Sequence, residues 1–192
     1  MSETEEQHLE MNKEKQLSEE LHSYLEEESR NDRFSGAVMI VKDGQPILEY
    51  ATGEANKDTE TLNTLETKFN LGSANKMFTG VAIAQLVERG ELSFDDPVGK
   101  FLPDYPNETV KNDVTIHHLL THTAGLGSFI DTQHREQFLA AREDLTSISD
   151  VVDLFKDREL PYPVGEYHYS SDGYELLGAV IEAVSGDNYY AM

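Results

Sequence analysis

The sequence predicts a mixed α/β (α+β) fold, in which a β-hairpin near the N-terminus precedes a mostly helical region. Residues 34–41 and 47–52 are rich in β-forming side chains, and the turn between them contains Gly44. Two such runs joined by a glycine-bearing turn predict a hairpin. Residues 77–88 and 174–184 are apolar runs of helical length. The expected organisation is an acidic tail and helix over residues 1–33, a hairpin over 34–58 and a mostly helical region over 59–192.

The N-terminal segment is expected to be a frayed acidic tail followed by a helix. Residues 1–6 are polar and acidic. Leu17, Leu21, Tyr24 and Leu25 then fall at i, i+4, i+7 and i+8 and form one apolar stripe. The glutamates of this helix are expected to face the solvent.

Start and stop signals place shorter elements in the rest of the chain. Gly90 is expected to end the helix that begins at Ser73, residues 95–97 to begin a short helix, and Thr115 to cap another. The other predicted elements are a loop at 102–106, a helix over 116–121, a turn at 123–126, a helix over 149–155, an extended segment at 160–165 and a helix over 174–184.

Ser73 and Lys76 form the first candidate site, at the start of a helix that continues through the apolar run 77–88. Three residues make about one helical turn, so the two side chains share a face and the amine can reach the hydroxyl. A neutral lysine there could accept the serine proton and make the hydroxyl a nucleophile. This spacing occurs by chance on the order of once in a chain of this length. On the tetrapeptide alone, an N-cap serine beside a solvated lysine therefore stays an alternative.

Two further blocks add context to this pair. The three blocks are residues 69–76 (FNLGSANK), 114–126 (VTIHHLLTHTAGL) and 167–178 (YHYSSDGYELLG). Together they resemble the serine beta-lactamase and penicillin-binding-protein superfamily, and most closely its class C beta-lactamase-like branch, which includes D,D-peptidases, D-aminopeptidases and esterases. The resemblance runs from about residue 34 to the end of the chain and implies a beta-lactamase-like fold.

The resemblance also implies roles for individual residues. Ser73 would be the nucleophile, Lys76 the amine that activates it, and Tyr169 the residue that relays a proton to the leaving group and helps to activate the deacylating water. The family's second motif is Tyr-x-Asn, and Ser171 stands in the place of its asparagine. Ser171 is a candidate substrate-binding residue with a shorter hydrogen-bonding arm. Without the other blocks, Tyr169 would be interpreted as a half-buried tyrosine packed beneath the following helix.

The implied reaction is acyl transfer through an ester on Ser73, with a β-lactam, a D-amino-acid peptide or a small ester as substrate and without a cofactor. The family's third motif, Lys or His followed by Thr or Ser and then Gly on a late strand, has no counterpart in this sequence. We therefore expect the N-terminal part of a longer enzyme with an incomplete sheet. The alternative is a non-catalytic fragment or pseudoenzyme that acts as a binding half for the missing C-terminal portion.

In the family, the first strand of the hairpin also pairs with a strand from the C-terminal region. Without that strand, the apolar edge is expected to associate with a second copy or to capture the missing C-terminal half. This chain alone would then be weakly active or inactive. A fragment of a gene, a proteolytic piece and a natural truncation all fit the sequence equally.

Composition excludes several classes of partner. The chain has 37 acidic and 15 basic residues and a net charge of −22, which argues against nucleic acid and anionic membranes as partners. Solubility and adaptation to high salt are both compatible with this charge. The absence of cysteine excludes disulfides and thiol catalysis. No signal peptide or membrane-spanning run is evident, so the chain is expected to be soluble, while its compartment stays open because relatives are commonly exported.

Histidines raise the alternative of a metal site. His118 and His122 lie four residues apart, a spacing at which two imidazoles can ligate one ion on a helix face. A third ligand at a suitable spacing is missing. We therefore expect no metal, and a histidine that holds a turn through hydrogen bonds.

Overall fold

The computed structural model describes residues 3–129 and 135–191, and the chain divides into two compact units, Met1–Asn70 and Leu71–Met192. Within those described ranges, no helix combines the length and the apolar character needed to cross a membrane.

The first unit contains one long helix and two small antiparallel sheets. Its elements are α1 (Glu3–Arg30), β1 (Gly36–Lys42), β2 (Gln45–Thr52), β3 (Glu54–Asn56) and β4 (Thr61–Leu62). The predicted hairpin is confirmed, because β1 pairs with β2 across a turn in which Asp43 and Gly44 both have positive φ, +49° and +77°. Asp-Gly is a preferred sequence for such a turn.

The sequence predicts that the free edge of β1 associates with a further strand. Among the described residues of the first unit, β1 pairs with β2 alone, and β3 pairs with β4. Met39 and Val41 on β1 are 61% and 53% exposed. The pairing of β1 with a further strand stays a prediction. The strands β3 and β4 were not predicted, since they are too short to show a period.

Helix α1 begins earlier than the sequence indicates. The frayed tail predicted over residues 1–6 is wrong for residues 3–6, which are helical. Glutamate is a good helix former, and its negative charge stabilises a helix N-terminus. Of the predicted apolar stripe, Leu25 is buried and Leu21 is half-buried, whereas Leu17 and Tyr24 are exposed.

The second unit is mostly helical. Its helices are α2 (Lys76–Glu88), α3 (Glu108–Asp113), α4 (Ile116–Leu120), α5 (Arg135–Ala141), α6 (Ile148–Asp153) and α7 (Ser171–Ser185), with 3₁₀ turns at Gly72–Asn75, Val98–Lys100 and Tyr189–Ala191. Helix α7 packs against α2, α4 and α6. Its fully buried face consists of Leu176, Leu177, Val180 and Ile181. The core of this unit is therefore built around α7, directly after the segment that carries Tyr169.

Most of the predicted helix boundaries are confirmed. Gly90 follows the C-cap of α2 with φ of +73°, and the Thr115 side chain caps α4. The helix predicted over 149–155 is α6. Helix α7 begins three residues before the predicted start at 174, because Ser170 is its N-cap and accepts a hydrogen bond from the Gly173 amide. Helices α3 and α5 were not predicted.

The turn predicted at 123–126 lies against the segment that leads to Tyr169. The Gly165 amide donates to the Thr123 carbonyl at 2.8 Å, and the Tyr162 amide donates to the Gly125 carbonyl at 3.3 Å. Gly125 has φ of +74°, and a Cβ there would lie 2.4 Å from the carbonyl oxygen of Tyr162. Glycine is therefore required at position 125 both by the backbone conformation and by the close approach of the segment that contains Tyr162.

Replacing Gly125 by alanine is expected to destabilise the second unit by about 2–4 kcal/mol, since it adds a backbone clash to the cost of a positive φ. Gly90→Ala is the matched control, because Gly90 also has a positive φ, +73°, but has no atom within 4 Å of the position that a methyl group would occupy. That control should lose only about 1 kcal/mol. Thermal unfolding of both variants checks this expectation, and equal losses would show that the contact with Tyr162 does not constrain the turn.

Candidate active site

Ser73 lies in the 3₁₀ turn Gly72–Asn75, directly before α2, and is exposed. Its hydroxyl is 2.7 Å from the hydroxyl of Tyr169, and either oxygen can be the donor. The N-cap positions of the turn and of α2 belong to Leu71 and Asn75. The interpretation of Ser73 as an N-cap is therefore wrong, and its side chain instead contacts a residue 96 positions further along the chain.

Lys76, the first residue of α2, lies beside the same tyrosine. Its Nζ is 5.3 Å from the centroid of the Tyr169 ring and 5.5 Å from that of Tyr174. Tyr169 itself is 47% exposed. The structure therefore brings the serine, the lysine and the tyrosine selected from the sequence into one solvent-accessible cluster.

The surroundings of Tyr169 favour loss of its proton. Burial raises the pKa of its phenol, but hydrogen bonding to Ser73 and Lys76 and the positive charge of Lys76 lower it, and the net effect is a pKa below the ordinary value of 10.0. A phenol with a lowered pKa in contact with a serine hydroxyl is suited to accept a proton from it.

Ser171, the fourth residue predicted for the site, is the first residue of α7 and is 7% exposed. The residues on either side of it tie α7 to the segment 127–129. The Ser170 hydroxyl donates to the Gly127 carbonyl at 2.7 Å, and the Asp172 carboxylate accepts from the Phe129 amide at 2.5 Å. Substrate contact by Ser171 stays a prediction.

Sequence reasoning missed Ser170 and Asp172, although an N-cap serine followed by an acidic residue in the first helical turn is a recognisable signal. Their side chains hold the start of α7, directly after Tyr169, against the backbone of Gly127 and Phe129. Ser170 and Asp172 therefore support the backbone that carries Tyr169 at the site.

His118 and His122 both accept backbone hydrogen bonds through Nδ1. The donors are the amide of Thr115, at 3.2 Å, and that of Ser170, at 3.1 Å. This matches the expectation of a histidine that holds a turn. Burial and then the positive charge of Lys76 lower the pKa of His122, which favours the neutral imidazole that the bond to Ser170 requires.

The described residues, 3–129 and 135–191, contain no group of three His, Cys, Asp or Glu side chains arranged to hold a metal ion.

Comparison with known proteins identifies the family to which this fold belongs. The chain is 31% identical over 185 residues to the esterase EstB of Burkholderia gladioli, covering 88% of this chain and 46% of that protein. The crystal structure of a penicillin-binding protein from Bacillus halodurans aligns with a TM-score of 0.70 and 35% identity, covering 86% of this chain and 51% of that one. A class C beta-lactamase from Rhodobacter sphaeroides aligns with a TM-score of 0.65 and 27% identity, covering 88% and 44%.

The fold is therefore beta-lactamase-like. The family model described as Beta-lactamase matches residues 12–191, and the chain belongs to that family. It spans less than half the length of the curated relatives that it matches, from 34% to 46%.

Proposed function

We propose that this chain carries the nucleophile and the proton-transfer groups of a serine hydrolase that transfers acyl groups through an ester on Ser73. The observation that carries this proposal is the 2.7 Å contact between the hydroxyls of Ser73 and Tyr169, beside the Lys76 amine. A nucleophile in hydrogen-bond contact with a base, which a third group orients, is the arrangement expected for covalent catalysis.

In the proposed reaction, the Ser73 oxygen attacks the acyl carbon of the substrate while its proton passes to the Tyr169 oxygen. Lys76 is the amine that drives this transfer, because in its neutral form it takes up the proton of the Tyr169 phenol and leaves the Tyr169 oxygen free to accept that of Ser73. Tyr169 then returns a proton to the leaving group, and in the second half of the reaction it activates the water that hydrolyses the ester. The backbone amide of Ser73 is the expected donor to the oxyanion.

The substrate class follows from the kind of chemistry and from the relatives. The names of the related proteins include an esterase, a penicillin-binding protein and a class C beta-lactamase. Esters, β-lactams and peptides share a carbonyl group that a serine can attack, with an alcohol or an amine as the leaving group. We infer that this chain acts on a small ester, a β-lactam or a D-amino-acid peptide.

Covalent labelling tests the proposal. After reaction with an activated phosphonate, the intact mass is expected to rise by one adduct. Trypsin releases residues 69–76 as one peptide, in which Ser73 is the sole hydroxyl residue, so the modified peptide identifies the site directly. An adduct on any other peptide would overturn the assignment of Ser73.

Ser171→Asn tests the proposed substrate contact at the second motif. An amide reaches further than a hydroxyl and can both donate and accept, so acylation by a β-lactam is expected to rise by about 3–10-fold, the equivalent of one added hydrogen bond. Since Ser171 is buried, a melting curve must first show that the variant folds. Loss of all ester hydrolysis in a folded variant would instead make the serine a requirement of a different substrate class.

A second candidate function is that of a binding half without activity of its own. It is favoured by the share of the relatives that the chain spans, 34–46%, and by the exposed apolar side chains on α2, where Met77, Phe78 and Val81 are 57%, 61% and 55% exposed. Exposed apolar groups of this kind mark interaction surfaces. The labelling experiment separates the two candidates, since a binding half without a competent nucleophile would form no adduct.

A further inference from the structure

His122 contacts the backbone on both sides of Tyr169. The amide of Ser170 donates to His122 Nδ1 at 3.1 Å, and the amide of His168 donates to the His122 carbonyl at 2.9 Å. The residues before and after Tyr169 are therefore tied to one and the same residue.

The imidazole of His122 also packs on the tyrosine rings of the site. Its centroid lies 4.4 Å from the ring of Tyr169, with 35° between the planes, and 5.1 Å from the ring of Tyr174, with 34° between the planes. Tyr174 is fixed in turn, because its hydroxyl donates to the Leu120 carbonyl at 3.1 Å. Tyr169 is thus held through its backbone and through its ring.

The backbone of His122 has φ of +59°, which is unusual for a residue other than glycine. Such strain persists where the surroundings over-determine the conformation, and it clusters at functional sites. In this conformation both the carbonyl and Nδ1 of His122 face the Tyr169 segment.

We infer that His122 is a positioning residue that sets the distance between the hydroxyls of Tyr169 and Ser73 by holding the Tyr169 backbone and ring at once. This inference rests on the proposed function in so far as Tyr169 transfers protons there. A displacement of about 1 Å in such a group can cost about 10²-fold in rate. Because His122 acts through Tyr169, its loss should slow acylation without weakening the initial binding of the reagent.

Two substitutions separate the contributions of the acceptor and the ring. His122→Asn keeps a hydrogen-bond acceptor near the position of Nδ1 and tolerates a positive φ. His122→Phe keeps a ring but has no acceptor for the Ser170 amide. We expect the acylation rate constant at saturating phosphonate to fall by about 10²-fold in His122→Phe and by about 10-fold or less in His122→Asn, with the concentration for half-maximal rate unchanged in both. His118→Asn is the control, because His118 caps α4 and should affect neither quantity.

A second readout does not depend on acylation. With ¹³C-labelled tyrosine, the NMR titration of the Tyr169 phenol should move towards that of an ordinary tyrosine in His122→Phe, because the phenol leaves its contact with Ser73, and should stay in place in His118→Asn. If no form of the chain is acylated, the proposed function fails while this titration still decides the role of His122. An unchanged titration together with an unchanged acylation rate in folded His122→Phe would overturn the inference.

The unmodified protein provides a test if His122→Phe does not fold. Amide hydrogen exchange at His168 and Ser170 should be at least about 10²-fold slower than in an unstructured peptide, since both amides donate to His122. Exchange at peptide-like rates at these two positions would also overturn the inference.

Discussion

Ser73→Ala is expected to abolish covalent labelling and to lower ester turnover by about 10⁴-fold or more, because the nucleophile is removed and the contact with Tyr169 is lost. The measurement is the intact mass after reaction with phosphonate, together with hydrolysis of an activated ester. Little loss of stability is expected, since Ser73 is exposed and is not an N-cap.

Ser93→Ala is the matched control. Ser93 is another exposed serine of the same unit, and its hydroxyl accepts a hydrogen bond from the Asp95 amide at 3.3 Å, away from the three groups of the site. This variant should be labelled as the unmodified chain is. If Ser73→Ala were labelled to the same extent as Ser93→Ala, the chain would react through a different nucleophile.

Several elements of the fold are predicted from local signals in the sequence. The hairpin follows from β-forming runs around Gly44, and the ends of α2 and α4 follow from Gly90 and Thr115. Strands β3 and β4 escape prediction because each is too short for a period to emerge, and helix α3 was missed although Asn107 caps it and Glu108 lies in its first turn. The beginning of α1 is misplaced because acidic residues are common both in disordered tails and in the first turns of helices.

The site could be predicted only in part, because proximity across the chain is not a local property. Ser73 and Lys76 are related by a helical spacing, and Tyr169 enters through the resemblance to a family. The contact of Tyr169 with Ser73 spans 96 positions and is set by the packing of α7 on α2. A structural role for a histidine in this segment could be predicted from the sequence. The two hydrogen bonds that His122 makes with the residues around Tyr169 could be identified only from the structure.

A pH profile should reflect the phenol of Tyr169. Its pKa lies below the ordinary value of 10.0, so the form that can accept the serine proton is present at a lower pH than for a free tyrosine and is lost as the pH falls through that lowered pKa. Acylation is therefore expected to rise with pH and to level off below pH 10. This rise defines the conditions under which Lys76 is best tested, namely a pH below the plateau, where the phenol proton still has to be removed by the Lys76 amine.

Below that plateau, Lys76→Arg is expected to slow acylation by about 10²–10⁴-fold, the range that general base catalysis contributes. Arginine keeps the positive charge but does not give up its proton near neutral pH, and its planar guanidinium does not reproduce the shape of an ammonium group between the rings of Tyr169 and Tyr174. If the role of Lys76 were only to supply charge to Tyr169, Lys76→Arg would retain most of the activity. The variant therefore separates proton transfer through the amine from simple charge stabilisation.

Lys100→Arg is the control for this substitution, because Lys100 is a surface lysine of the same unit that pairs with Asp96 at 2.7 Å, and arginine can make the same ion pair. Stopped-flow acylation of both variants with one activated ester gives the comparison directly. Near-normal acylation by Lys76→Arg, with Lys100→Arg unchanged, would contradict the proposed transfer of the Tyr169 proton to the Lys76 amine. In that case Tyr169 alone would accept the serine proton, and either lysine or arginine at position 76 would keep its pKa low. Tyr169→Phe would then slow the reaction far more than any substitution at position 76.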